Sequence, residues 1–168
     1  MSHATTHPVL PSDATLREAS AGDIPEMVEV VNAAFDPESF FVNSPRTDPA
    51  QLEEHLRRGH FLLAHQGARL VASVYYEVRD QRGYIGMLAV SPRYQHLGLG
   101  RAIMLVVEET LRGAGCTVAE LTVVTLRSML LPIYRKLGYR EAGPEELPEE
   151  LRQKLIMPVE LIRMEKQL

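Results

Sequence analysis

An α/β domain built on a mixed, mostly antiparallel sheet is the fold class this sequence predicts, and three observations predict it. Strand-like segments at 60–65, 68–79 and 84–90 follow one another through short turns, as an antiparallel meander does. The strand at 84–90, an amphipathic helix at 98–112 and a nearly continuous apolar strand at 118–124 then make a βαβ unit, which is parallel and right-handed. Apolar residues at helical spacing around these strands supply helices to cover the sheet.

Taken in order, residues 15–19 read as a first strand. Asp23 is an N-cap and Pro25 lies in the first turn of a helix whose buried face is Ile24, Met27, Val28, Val31 and Phe35. Prolines, Asn43 and Ser44 make 36–49 a loop before a helix at about 49–58. Gln66-Gly67 and 80–83 are the turns of the meander. In the crossover helix Leu99, Ile103, Val106, Val107 and Leu111 share a face that ends at Gly113-Ala114-Gly115. A further helix begins near Ser128, because Pro132 is tolerated only close to a helix start, and ends at Leu137 with Gly138 as its left-handed cap. A short strand from Tyr139, a short helix from Pro148 to about Leu155 and a last strand at 159–164 complete the chain.

At 168 residues the chain fits one domain able to bury a sizeable core. Residues 1–13 mix Ser, His, Thr and Pro and are expected to form a flexible lead-in, with the domain at 14–168. A single cysteine, Cys116, excludes an internal disulfide framework and makes a cytoplasmic location the expectation. No apolar run is long enough to span a bilayer, so no membrane partner is expected. The net charge is -4 and basic residues are interspersed with acidic ones, which argues against nucleic acid as a partner.

The informative stretch runs from Tyr84 to Gly100: an apolar strand, a proline turn, and a glycine loop opening a helix. Backbone N–H groups at a helix N-terminus have no intrahelical partner and bind anions when no Cβ intervenes. Gly98 and Gly100 remove that obstruction. A dinucleotide fingerprint needs glycine where Ile103 stands, and a P-loop needs Gly-Lys-Ser/Thr where Gly100-Arg101-Ala102 stands, so neither applies.

Gln95-x-x-Gly98-x-Gly100, preceded by Leu88-Ala89-Val90-Ser91-Pro92, resembles the acyl-CoA pyrophosphate loop of the GNAT N-acetyltransferase superfamily. Ile133-Tyr134-Arg135-Lys136-Leu137-Gly138-Tyr139, at the expected distance downstream, resembles the family's aromatic-Tyr-x-Lys-Leu-Gly-aromatic signature. The resemblance covers nearly the whole chain. It implies a sheet of about seven strands in which the parallel pair flanking the crossover helix splays apart, with the pantetheine arm of acetyl-CoA in the opening. Leu88, Ala89 and Val90 would pair with that arm, and Leu88 and Val90 would supply N–H donors to the oxyanion formed when an amine attacks the thioester. Gln95, His96, Leu97, Gly98, Leu99, Gly100 and Arg101 would hold the pyrophosphate, and Arg127 would contribute to the CoA side. Tyr134 falls where the family places the acid that protonates the departing CoA thiolate. Phe40, Phe41, Arg46 and Tyr84, with the segment 145–158, fall where the family borders its acceptor.

Two departures stand out. Tyr84 occupies a position where family members often carry a glutamate base, leaving Glu77 and Glu120 as the nearest strand carboxylates, both readable as solvent-facing. Arg127 and Leu130 replace an asparagine and an alanine that often precede the tyrosine. Deprotonating a lysine-like amine at pH 7 costs roughly 4–5 kcal/mol and an α-amine only about 1 kcal/mol, so a missing base favours an acceptor of lowered pKa, or a proton relay through water to a distant carboxylate. His55, His60 and His65 are five apart, which fits no metal spacing, and no metal is expected. Cys116 reads as structural, with a thiol nucleophile as the chemical alternative. The expectation is an N-acetyltransferase carrying acetyl from acetyl-CoA to a primary amine, on a small molecule or a peptide N-terminus, in a ternary complex. Its rival is a non-catalytic acyl-CoA-binding or regulatory domain. Open sheet edges leave room for a homodimer.

Overall fold

The computed structural model describes residues 13–168, so the expected lead-in lies almost entirely outside the described residues. Strands β1 (Ala14–Glu18), β2 (His60–Gln66), β3 (Arg69–Arg79), β4 (Arg82–Val90), β5 (Val118–Val124), β6 (Arg140–Glu145) and β7 (Leu161–Gln167) form one sheet in the order β1-β2-β3-β4-β5-β7-β6. Every neighbouring pair is antiparallel except β4 and β5. Helices α1 (Ile24–Phe35) and α2 (Pro49–Arg58) cover one face, burying Ile24, Met27, Val31 and Leu52 against Phe61, Leu63, Leu70 and Tyr75. On the other face α3 (Leu99–Gly113) buries Leu99, Ile103, Met104, Val107 and Leu111, and α4 (Leu130–Lys136) packs beside it. Helix α5 (Glu149–Lys154) completes the set.

The expected face of α3 is corrected at one position. Val106 is exposed and Met104 is buried, because the buried stripe leans toward the 100, 104 and 108 side. That lean also buries Glu108, which accepts from the Tyr139 hydroxyl at 2.9 Å and from Lys166 Nζ at 2.7 Å. Both carboxylate oxygens are thus used, as burial of a charge requires. The last strand runs later than 159–164, since β7 pairs along the whole of β5 and its Glu165 pairs with both Arg163 and Arg82 at the partly exposed surface. Gly138, with φ +98°, caps α4 as expected. Pro144 is accommodated because β6 is an edge strand.

The seam between β4 and β5 positions the site. It is paired only where Arg82, Gly83 and Tyr84 meet Val118, Ala119 and Glu120. Here Arg82 Nε and Nη2 donate to Glu120 at 3.0 and 2.8 Å, and Thr117 N–H donates to the Gln81 carbonyl at 2.8 Å. Gly83 lets Leu111 settle on the strand: a Cβ there would stand 2.5 Å from Leu111 Cδ1. Beyond Tyr84 the strands part, with β4 held by β3 and β5 by β7.

Candidate active site

The open stretch of β4 begins with a change of phase. The register with β3 shifts between Ser73 and Tyr75, opposite Gly86 and Ala89, and Met87 has φ +49°. This is a β-bulge, with two residues spanning the place of one. Its consequence is that Ile85, Leu88 and Val90 all join the core under α3, while Met87 and Ala89 join the core under α1. Without the bulge Leu88 and Val90 would face the opposite layer.

Backbone direction after the bulge follows from one hydrogen bond. Ser91 N–H donates to the Val71 carbonyl at 2.8 Å, and the register pairs Ala89 with Ser73 and Val90 with Ala72. Bonded and non-bonded pairs alternate in an antiparallel ladder. Ala89 therefore spends its N–H and carbonyl on β3, and Leu88 and Val90 direct theirs to the open seam. Of these groups the Val90 carbonyl already accepts from Gln95 Nε2 at 2.9 Å, so Gln95 fixes the loop to the strand end. Ala89 enters the opening neither by backbone nor by its buried side chain.

The loop from Gln95 to Arg101 then turns into α3. His96 (φ +65°) and Gly98 (φ +82°) are both left-handed, and His96, Leu97 and Arg101 are exposed. Glycine at 98 answers its backbone conformation. Glycine at 100 answers no close contact among the described residues, since a Cβ there would make ordinary contacts, 3.6 Å to Val90 Cγ2 and 3.9 Å to Leu88 Cδ2. The unpartnered N–H groups of the first turn of α3 thus open onto bare backbone beside the seam, a cradle that side chains would fill. This arrangement suits a pyrophosphate followed by an extended arm.

On the β5 side α4 presents Tyr134, partly buried and edge-on to Tyr139 with ring centroids 6.1 Å apart. Burial pushes its hydroxyl up to about 12, against an opposing pull from Arg127. Arg127 donates from Nη1 to Glu38 Oε1 at 3.3 Å, both side chains being mostly buried at 18% and 12% exposure. It bridges the α4 side to the loop after α1. That loop also carries Arg46, whose guanidinium sits 5.1 Å over the Phe35 ring and within electrostatic reach of both Glu38 and the Tyr84 hydroxyl. Burial raises the Glu38 carboxyl more than Arg46 and Arg127 lower it.

The two segments expected to border an acceptor are joined. Asn43 N–H donates to the Lys154 carbonyl and Ile156 N–H to the Phe41 carbonyl, each at 3.0 Å, around a bridge between Val42 and Leu155. Phe41 is fully buried, edge-on to the half-exposed Phe40, and so anchors the loop from inside. Tyr84 is partly buried beneath Arg79, whose guanidinium is 4.4 Å from the ring centroid.

Glu38 is the residue that strand-by-strand reading passed over. Its signal was present: a carboxylate in Asp36-Pro37-Glu38, inside the loop already assigned to the acceptor side. The two strand carboxylates have structural employment, Glu120 on Arg82, and Glu77 on the Tyr75 hydroxyl and Arg79. Cys116 is buried at the start of β5, its thiol pushed up by burial, which rules against a nucleophile. His55 bonds the Gln51 carbonyl and His60 stacks on Tyr76. Among the described residues no group of three or more His, Cys, Asp or Glu side chains is placed to hold a metal, and no helix is long and apolar enough to cross a membrane.

Residues 27–139 match the family model described as the acetyltransferase (GNAT) family. The amino-acid acetyltransferase of Pseudomonas aeruginosa is 27% identical over 134 residues, 79% of this chain and 29% of that protein; the chain thus spans less than a third of the length of this relative. The ribosomal-protein-S18-alanine N-acetyltransferase from Escherichia coli superposes with a TM-score of 0.74 at 18% identity, covering 92% of this chain and 93% of that one. YncA from Salmonella typhimurium, whose structure includes acetyl-CoA as its cofactor, superposes with a TM-score of 0.71 at 17% identity, covering 94% and 95%.

Proposed function

The chain belongs to the GNAT acetyltransferase family, and on that premise we propose that residues 14–168 transfer an acetyl group from acetyl-CoA to a primary amine, on a small molecule or a peptide N-terminus, by direct attack in a ternary complex. The observation that carries this reading is the open edge of β4 lying beside a glycine cradle that the chain itself has no packing reason to leave bare. A reducing, cytoplasmic setting goes with the single free cysteine.

Acetyl-CoA supplies the activated thioester. The first turn of α3 with Gly98 and Gly100 binds its pyrophosphate, and the outward groups of Leu88 and Val90 pair with the arm. Their N–H groups also meet the carbonyl oxygen as negative charge develops on it, from a position fixed before reaction begins. As the C–N bond forms and the C–S bond breaks, Tyr134 donates its proton to the departing sulfur, and the proton shed by the acceptor nitrogen returns to Tyr134 through solvent. A phenol held near 12 keeps its proton until that moment. The transfer is less uphill than the pKa difference implies, because the burial that raises the phenol also disfavours a thiolate formed beside it.

Thermal unfolding of the purified chain with acetyl-CoA, CoA or NAD at matched concentration tests the cradle, since a ligand of the native state raises Tm by mass action. CoA species are expected to raise it and NAD is not. Release of free CoA with a panel of amines tests turnover, and Tyr134→Phe should lower kcat by about 10²–10⁴-fold with the acetyl-CoA shift retained. A CoA shift with no turnover on any amine would mark an acyl-CoA-binding domain instead.

A further inference from the structure

Resting on that reading, we propose that the acceptor is a zwitterionic α-amino acid, with its carboxylate on Arg46 and its ammonium on the unbonded Oε2 of Glu38. The charges at the mouth of the seam motivate this. Glu38 and Arg127 form a mostly buried ion pair through Oε1, and among the described residues nothing bonds Oε2. Among the described residues Arg46 makes no ion pair and no side-chain hydrogen bond; it is exposed, with its guanidinium 5.1 Å over the Phe35 ring, so its N–H donors are available. Glu38, Arg127 and Arg46, one carboxylate and two guanidiniums, together carry a surplus positive charge.

A simple alkylammonium would bring a second positive charge to that surplus. An α-amino acid brings a carboxylate for Arg46 along with the ammonium for Glu38, and guanidinium–carboxylate pairing is both directional and strong. Glu38 and Arg46 lie on the one loop that Phe41 anchors from inside and that backbone bonds to Lys154 and Ile156 hold in place, so the pair is set before substrate arrives. Phe35, over which Arg46 sits, and Tyr84, at the start of the open strand, both pack on the core under α1, which sets Arg46 on that layer of the sheet beside the seam. With a carboxylate present at the mouth, an acceptor of lowered pKa is no longer required by the absence of one.

The test compares free L-amino acids with their carboxamides and with tripeptides of neutral first residue, which lose the neighbouring carboxylate and carry a less basic amine. Rates are therefore compared per unprotonated amine and affinities per ammonium form. CoA release gives kcat/KM, and calorimetry on the CoA-loaded protein gives affinity independently of turnover. Free amino acids should exceed their carboxamides by about tenfold to a hundredfold, the worth of one charge-assisted contact. Arg46→Gln should bring that ratio close to one, chiefly through KM, and Arg46→Lys should restore part of it. Glu38→Gln should weaken amino acid and carboxamide together, since both carry the ammonium. A wild-type ratio of one, by turnover or by binding, overturns the inference, as does an unchanged ratio in Arg46→Gln. If Arg46→Gln fails to fold, the wild-type and Arg46→Lys ratios still decide. Failure of acetyl-CoA to shift the wild-type Tm would sink the acetyltransfer reading itself, which is a different result.

Discussion

At its Arg82 end the β4–β5 seam is closed by paired backbone, by Arg82 on Glu120 and by Leu111 pressed onto Gly83; at its Val90 end the same strand keeps outward groups that no other described strand takes. The contrast extends to the side chains. Glu108, deep under α3, has both oxygens occupied, whereas among the described residues Glu38 at the mouth uses one and Arg46 pairs with no carboxylate. Buried polar groups left without partners cost stability, so a fold can leave them unpaired only where water or a ligand reaches them. The closed end therefore holds the sheet together, and the open end is kept available at little cost.

The comparison breaks first at Gly83. Gly83→Val places a branched side chain where Leu111 already stands, and overpacking of this kind costs about 1–3 kcal/mol, or a fall in Tm of roughly 2–10 °C. Thermal unfolding checks it; an unchanged Tm would mean that the closed end is not packed as described. Gly100→Ala sharpens the other side. Its Cβ meets only ordinary contacts and alanine favours helix, so stability should hold or rise by up to about 1 kcal/mol. The Tm gain from acetyl-CoA should shrink, because the methyl group enters the cradle. Equal acetyl-CoA shifts in variant and wild type would remove Gly100 from the binding surface.

The smallest effect is in alkaline solution. Tyr134 has a folded pKa near 12 against about 10 for a free phenol. The native state then holds a proton the unfolded chain gives up, so the contribution is fully present below pH 10 and is lost as pH climbs from about 10 through 12. Tyr75 and Tyr76, both raised by burial and by hydrogen bonds to Glu77 and Glu18, act in the same direction. Tm measured across pH 9 to 11 should fall less steeply in Tyr134→Phe than in wild type. Parallel curves would show that Tyr134 is more hydrated than its surroundings indicate.

Much of this architecture was legible in the sequence because its signals are local. Gln66-Gly67 and the turn at 80–83 mark the meander, the apolar spacing of 99–111 marks the crossover helix, and Gly138 marks the end of α4, each within a few residues of the feature it sets. The glycine loop and the tyrosine motif were legible for the same reason. Val106 was misread because a helix stripe wide enough to hold it can lean either way, and only the packing of α3 against the sheet chooses. Glu38 was missed because its partner is remote: Arg127 lies 89 positions along the chain.

By itself, then, the sequence determined the order of elements and displayed the glycine loop and the tyrosine motif, since backbone propensity and turn chemistry act over a few neighbouring residues. Tertiary structure decided the rest. The bulge at Met87 set which face Leu88 and Val90 present, pairing with β3 sent their backbone groups to the seam, and docking of the loop after α1 onto residues 154–156 brought Glu38 and Arg46 to its mouth. These depend on contacts between distant segments, which acquire a definite geometry only when both layers of the core have closed on the sheet.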